Sequence, residues 1–105
     1  MGELYYAQAY YIYAEPLYEE ALNIRKRKLE QNHTEVATSF NNLADLYRTW
    51  GKYGQAELLY KQALGIRRRK LGRTHPEVAT SLNGLAELYY AMGTIPRLKN
   101  FYRTH

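Results

Sequence analysis

The stretch Val36-Ala37-Thr38-Ser39-Phe40-Asn41-Asn42-Leu43-Ala44-Asp45-Leu46-Tyr47 returns 42 positions later as Val78-Ala79-Thr80-Ser81-Leu82-Asn83-Gly84-Leu85-Ala86-Glu87-Leu88-Tyr89. Widening the comparison lays Leu17–Gly51 over Leu59–Gly93, and 21 of these 35 pairs are identical. A single offset that preserves so many residues is an internal repeat, and its length suits stacked helical units. The register also runs backwards, with Leu4-Tyr5 over Leu46-Tyr47 and Ala14-Glu15 over Ala56-Glu57. About two and a half units are expected, incomplete at both ends.

Inside the unit the apolar spacing is helical. Phe40, Leu43, Ala44, Tyr47 and Trp50 recur at three- and four-residue steps and predict one buried stripe. Gly51 and Gly93 follow where a helix stops in a left-handed turn. This places first helices over Thr34–Trp50 and Pro76–Met92, with Thr74 as N-cap, Pro76 in the first turn and Glu77 at the positive end. A second helix is expected over Tyr53–Leu71, turning Ala56, Leu59, Tyr60, Ala63, Leu64 and Ile66 inward, with Gly72 closing it. Ala44, Ala56, Ala63 and Ala86 fall where paired helices approach closely. No stretch keeps a two-residue alternation, so no strands are expected. The expected fold class is all-α: antiparallel helix hairpins stacked into an α-solenoid. One domain covers 1–105, with a partial repeat at 3–29, a full repeat at 34–71, a further first helix at 75–93 and a degenerate segment at 94–105.

Two regions depart from the period. Ala9 and Ile12 stand where Gly51 and Gly54 break the later repeat, so residues 3–29 are expected to continue as one long helix, bent at Pro16. Towards the C-terminus, Pro96 replaces the Gly54 equivalent and Leu98-Lys99-Asn100 replaces Ala56-Glu57-Leu58. A short capping helix packing Leu98, Phe101 and Tyr102 is the expectation there.

Composition narrows the function classes. The chain has no cysteine, which excludes disulfides and thiolate zinc sites. With 12 tyrosines among its apolar residues, the core is expected to rest on small residues and amphipathic rings instead of Ile, Val and Phe. No apolar run reaches the roughly 20 residues of a membrane span, and no signal peptide opens the sequence, so a cytoplasmic setting is the expectation. The net charge of +5 favours acidic partners and raises nucleic acid as a weaker alternative.

His75-Pro76-Glu77-Val78-Ala79-Thr80-Ser81-Leu82-Asn83, then Leu85-Ala86 and Leu88-Tyr89, resembles the first helix of kinesin-light-chain-type tetratricopeptide repeats. Gly51-Lys52-Tyr53, Ala56-Glu57, Leu59-Tyr60, Ala63-Leu64, Ile66-Arg67 and Lys70-Leu71-Gly72 resembles the second helix, as does Ala14-Glu15-Pro16-Leu17-Tyr18-Glu19-Glu20-Ala21-Leu22. The likeness covers roughly residues 4–93. It implies a right-handed superhelix whose first helices line a concave groove for extended peptides, acidic ones in kinesin light chains. On that reading Thr38, Asn41, Asn42, Asp45, Arg48, Thr80, Asn83, Glu87 and Tyr90 are the groove candidates. An Asn amide there pairs with both groups of a peptide backbone; alternatively Asn41 and Asn83 bond neighbouring helices.

Other constellations carry bland readings beside sharp ones. Arg25-Lys26-Arg27-Lys28 and Arg67-Arg68-Arg69-Lys70 either attract acidic ligands in short columns or stay solvated at helix C-termini. His33 and His75 share one repeat position and read as loop or capping residues, with no metal site and no cofactor expected. Ser39 and Ser81 have no paired His–Asp motif, and there is no phosphate loop, so no enzyme is expected. Short repeat arrays are marginal alone. With Tyr5, Tyr6, Tyr10, Tyr11 and Tyr13 crowding one end, a homo-oligomer formed by helix exchange is expected. The leading function is a protein-interaction scaffold; a self-assembling structural or designed repeat without a ligand is the alternative.

Overall fold

The computed structural model describes residues 2–93, with side chains from residue 7 onward. Four helices follow in order: α1 (Gly2–Lys28), α2 (Thr34–Trp50), α3 (Tyr53–Leu71) and α4 (Pro76–Ala91). The capping segment expected at 94–105 lies outside the described residues, as do the side chains of Tyr5 and Tyr6. No described helix is long and apolar enough to cross a membrane.

α1 runs unbroken for 27 residues with Pro16 inside it. Pro16 has no N–H for the Ile12 carbonyl, but it lies on the exposed side of the helix, where water can serve that carbonyl. α2 and α4 open alike, and here the expected cap at Thr74 gives way to His75. His33 and His75 both hold extended backbone, at φ −71 and −70. Each Nδ1 accepts the N–H two residues on, from Glu35 and Glu77, at 3.1 Å. An imidazole nitrogen thus does the work usually given to a short oxygen side chain. α2 stops at Gly51, whose φ of 89 is a left-handed turn closed in the next residue by the Lys52 N–H on the Tyr47 carbonyl at 2.8 Å.

α2 is the central helix, packed by α1 on one side and α3 on the other; α4 lies against α3 and touches α2. The core corrects the compositional expectation. Six leucines (Leu22, Leu43, Leu46, Leu64, Leu85 and Leu88) share it with Val36, Phe40, Ile66 and Val78, while Tyr47 and Tyr60 are its tyrosines. The reason is the shape of a hairpin stack: each helix buries a stripe, while Tyr11, Tyr18, Tyr53 and Tyr89 sit half-buried at its edges and Tyr10, Tyr13 and Tyr90 are exposed. Ala44, Ala56 and Ala63 are fully buried at close helix approaches, whereas Ala86 is exposed. Trp50, expected within the stripe, is half-buried at its end.

The joint between consecutive units is built twice with the same atoms. Tyr47 donates to Glu15 at 2.6 Å, and Tyr89 to Glu57 at 2.7 Å. Arg25 donates to Ser39 at 2.5 Å, and Arg67 to Ser81 at 2.9 Å. All four partners in each pair of bonds are 42 residues from their counterparts, so the sequence period is a period of contacts.

Candidate groove between α2 and α4

The α2–α3 joint supplies the frame of the site. Tyr60 of α3 is fully buried, and its hydroxyl donates to Asp45 while accepting from Arg48 Nε at 2.9 Å. Burial first, then the Asp45 bond, hold the Tyr60 phenol well above its ordinary pKa. Arg48 is fixed further by Asp45 at 3.6 Å on its own helix and by Glu87 at 3.4 Å on α4. One guanidinium therefore ties α2 to α3 and to α4.

Beside this frame lies a hollow of about 220 Å³ lined by Asn41, Asp45, Arg48, Thr80, Asn83, Gly84 and Glu87. Six of the nine groove candidates are among them. The other three lie elsewhere. Thr38 is half-buried, donating to the Thr34 carbonyl at 3.2 Å and accepting from Arg67 at 3.4 Å. Asn42 lines a neighbouring hollow with Tyr10, Tyr18, Asp45, Leu46 and Thr49. Tyr90 is 64% exposed and lines neither.

The two Asn residues divide the two readings between them. Asn41 is buried, and its Oδ1 accepts from Ser81 Oγ at 2.9 Å, bonding α2 to α4. Asn83 is exposed in the hollow. Their difference follows from position: α4 covers the outer side of α2, and no described helix covers the same side of α4.

Three features escaped sequence reasoning. Arg67, counted with a solvated run, is only 5% exposed and bonds Ser81, the Glu77 carbonyl at 3.2 Å and Thr38. Its Nε has no hydrogen bond and faces the Glu77 carboxylate at 3.5 Å; burial pulls its pKa below the ordinary value. Its signal was the shared 14-residue spacing of Arg25–Ser39 and Arg67–Ser81. Gly84 is the second: a Cβ there would lie 2.4 Å from Tyr60 Cε1, so α4 crosses α3 where only glycine fits the ring. Tyr11 is the third. It stacks on Trp50 with centroids 5.3 Å apart and donates to the Thr49 carbonyl at 2.9 Å. It thus serves the chain's own α1–α2 joint, while Tyr10 and Tyr13 are exposed.

Among the described residues no group of three or more His, Asp or Glu side chains is placed to hold a metal ion. Comparison with the curated proteins finds no match. The family model described as tetratricopeptide repeat matches residues 1–69. With the four-helix hairpin stack and its repeated joints, this shows that the chain belongs to the tetratricopeptide repeat family.

Proposed function

We propose that the chain is a protein-interaction scaffold that holds an extended peptide along α2 and α4. The observation behind this reading is the gathering of Asn83, Thr80, Asp45, Arg48 and Glu87 around one polar hollow. Asn83 offers a donor and an acceptor to a peptide backbone. Arg48, held by Tyr60, Asp45 and Glu87, presents a rigid rim that loses little entropy on binding.

The likeness to kinesin-light-chain repeats supports a peptide ligand, but the side chains argue against its acidic preference here. Asp45 and Glu87 flank the hollow and Arg48 is already paired with both. The excess of basic residues lies along α1 and α3, as in the hollow of about 430 Å³ bordered by Lys26, Arg69 and Lys61, the last paired with Glu57 at 3.2 Å. A neutral or basic peptide suits the α2–α4 face better.

Titration with blocked extended peptides of one length, bearing central Asp, Ser or Lys, tests this. The Lys and Ser peptides are expected to bind more tightly than the Asp peptide. Asn83→Ala is expected to weaken binding by about 1 kcal/mol. Glu87→Gln is expected to narrow the preference for Lys. Binding to none of the three, or binding unchanged by Asn83→Ala, rejects the reading. Retention of duplex DNA with a steep salt dependence would favour the nucleic-acid alternative instead.

A further inference from the structure

The four helices alternate between two kinds. α2 and α4 are first helices of their units, and α1 and α3 are second helices, since each pair is related by the 42-residue period. The joint from a second helix to the next first helix occurs twice, in α1–α2 and α3–α4. The joint within a unit, α2–α3, occurs once. The surfaces for another copy of that joint are both present and both uncovered among the described residues.

On α1 the uncovered surface is apolar. Leu17 and Ile24 are 66% and 49% exposed, whereas their equivalents on α3 are half-buried (Leu59) and 5% exposed (Ile66). Tyr10 and Tyr13 extend the same stripe, because positions 10, 13, 17 and 24 fall on one side of a helix. On α4 no described helix covers the equivalent of the covered face of α2. Ala79, Leu82 and Ala86 are exposed, where Ala37, Phe40 and Ala44 are buried. Phe40 and Ile66 border one hollow, so their equivalents are Leu82 on α4 and Ile24 on α1.

We propose that α1 of one copy packs on α4 of another, reproducing the α2–α3 joint between molecules and joining copies head to tail. Ile24 meets Leu82 as Ile66 meets Phe40. Tyr18 approaches Glu87 as Tyr60 approaches Asp45. α1 keeps every residue that α3 uses for burial: Ala14, Tyr18, Ala21, Leu22, Ile24 and Arg25 match Ala56, Tyr60, Ala63, Leu64, Ile66 and Arg67. The chain's own segment 94–105 is a poorer match, with Leu98 in place of the fully buried Ala56. Because the two faces differ, the contact is heterologous and does not close at two copies. It shares Glu87 with the α2–α4 hollow, but neither Ile24 nor Leu82 lines that hollow, so substitutions at those two positions test stacking apart from peptide binding.

Ile24→Glu and Leu82→Glu, both at exposed positions, test the proposal in the full chain. The parent is expected to gain mass with concentration beyond a dimer. Each variant alone is expected to stay at the 12.4 kDa of one chain, with helical circular dichroism unchanged. Mixed, the two variants retain one good α4 face and one good α1 face between them, so they are expected to form a pair of twice that mass and no more. A parent that is monomeric at every concentration overturns the proposal and leaves the α4 face to residues 94–105. A Leu82→Glu variant that still self-associates overturns it in favour of a symmetric contact through Tyr10 and Tyr13.

Discussion

At Gly84 one methyl group is enough to disturb the joint between α3 and α4. A Cβ there meets the Tyr60 ring at 2.4, 2.8 and 3.0 Å, and that ring is fully buried with its hydroxyl held by Asp45 and Arg48. Gly84→Ala is expected to lower the unfolding free energy by about 1–3 kcal/mol, read from a denaturant midpoint. Gly65 in the middle of α3 is the control. Its Cβ would touch only the Arg69 guanidinium at 3.6 Å, so Gly65→Ala is expected to stabilise by about 0.5–1 kcal/mol. The sequence displayed Gly84 as a departure from Asn42, yet not its cause. Knowing that a tyrosine 24 residues earlier lands on it requires the crossing of α3 over α4. Arg67 was hidden similarly, because four consecutive cations on a helix point around its circumference and the run alone does not say which one enters the core.

Among elements, α1 departs furthest from the repeat. Its equivalent positions in the later units are a first-helix end, a glycine turn and a second helix; here they are one helix of 27 residues. The loss of the Gly51 equivalent was visible in the sequence, because Ala9 cannot enter the left-handed turn that Gly51 makes at φ 89 cheaply. Pro16 remains a weak point. Restoring the N–H to Ile12 through Pro16→Ala, at an exposed position, is expected to raise stability by up to about 3 kcal/mol. The thermal midpoint measures it, and a fall in that midpoint would mean that proline shapes a contact of α1. The helix starts at α2 and α4 were legible in the sequence, and so was a capping role for His33 and His75, whereas the choice between Thr74 and His75 was not. A histidine nitrogen and a threonine hydroxyl fit the same local pattern until the backbone angles are known.

At the scale of the whole molecule, the tyrosines at the helix joints set a pH limit. Tyr47 and Tyr60 are held above the ordinary phenol value chiefly by burial, and Tyr89 chiefly by its bond to Glu57. In the unfolded chain these phenols ionise near pH 10. Below that pH both states keep their protons and the stabilisation is complete. Above it the unfolded chain gains by ionising while the folded chain holds its protons, so stability falls as pH rises. Denaturation midpoints are expected to drop as pH rises above about 10, and Tyr60→Phe to flatten that drop by removing one of the groups. A midpoint independent of pH across this range would mean that the phenols are free to ionise in the fold. The overall architecture was readable because a period in sequence became a period in contacts. The groove was readable only in part, since whether Asn41 or Asn83 faces solvent depends on which neighbour each helix has.

The chain's sole tryptophan adds an optical handle. Trp50 is stacked on Tyr11, capped by the Lys52 ammonium 3.8 Å from its ring centre and bonded through Nε1 to Gln8 at 3.3 Å. Its light emission therefore samples the meeting of α1 with α2, while the α3–α4 crossing contains no indole. Fluorescence reads the first seam and circular dichroism reads all the helices. Comparing the two tells whether the molecule melts as one piece or sheds α1 first.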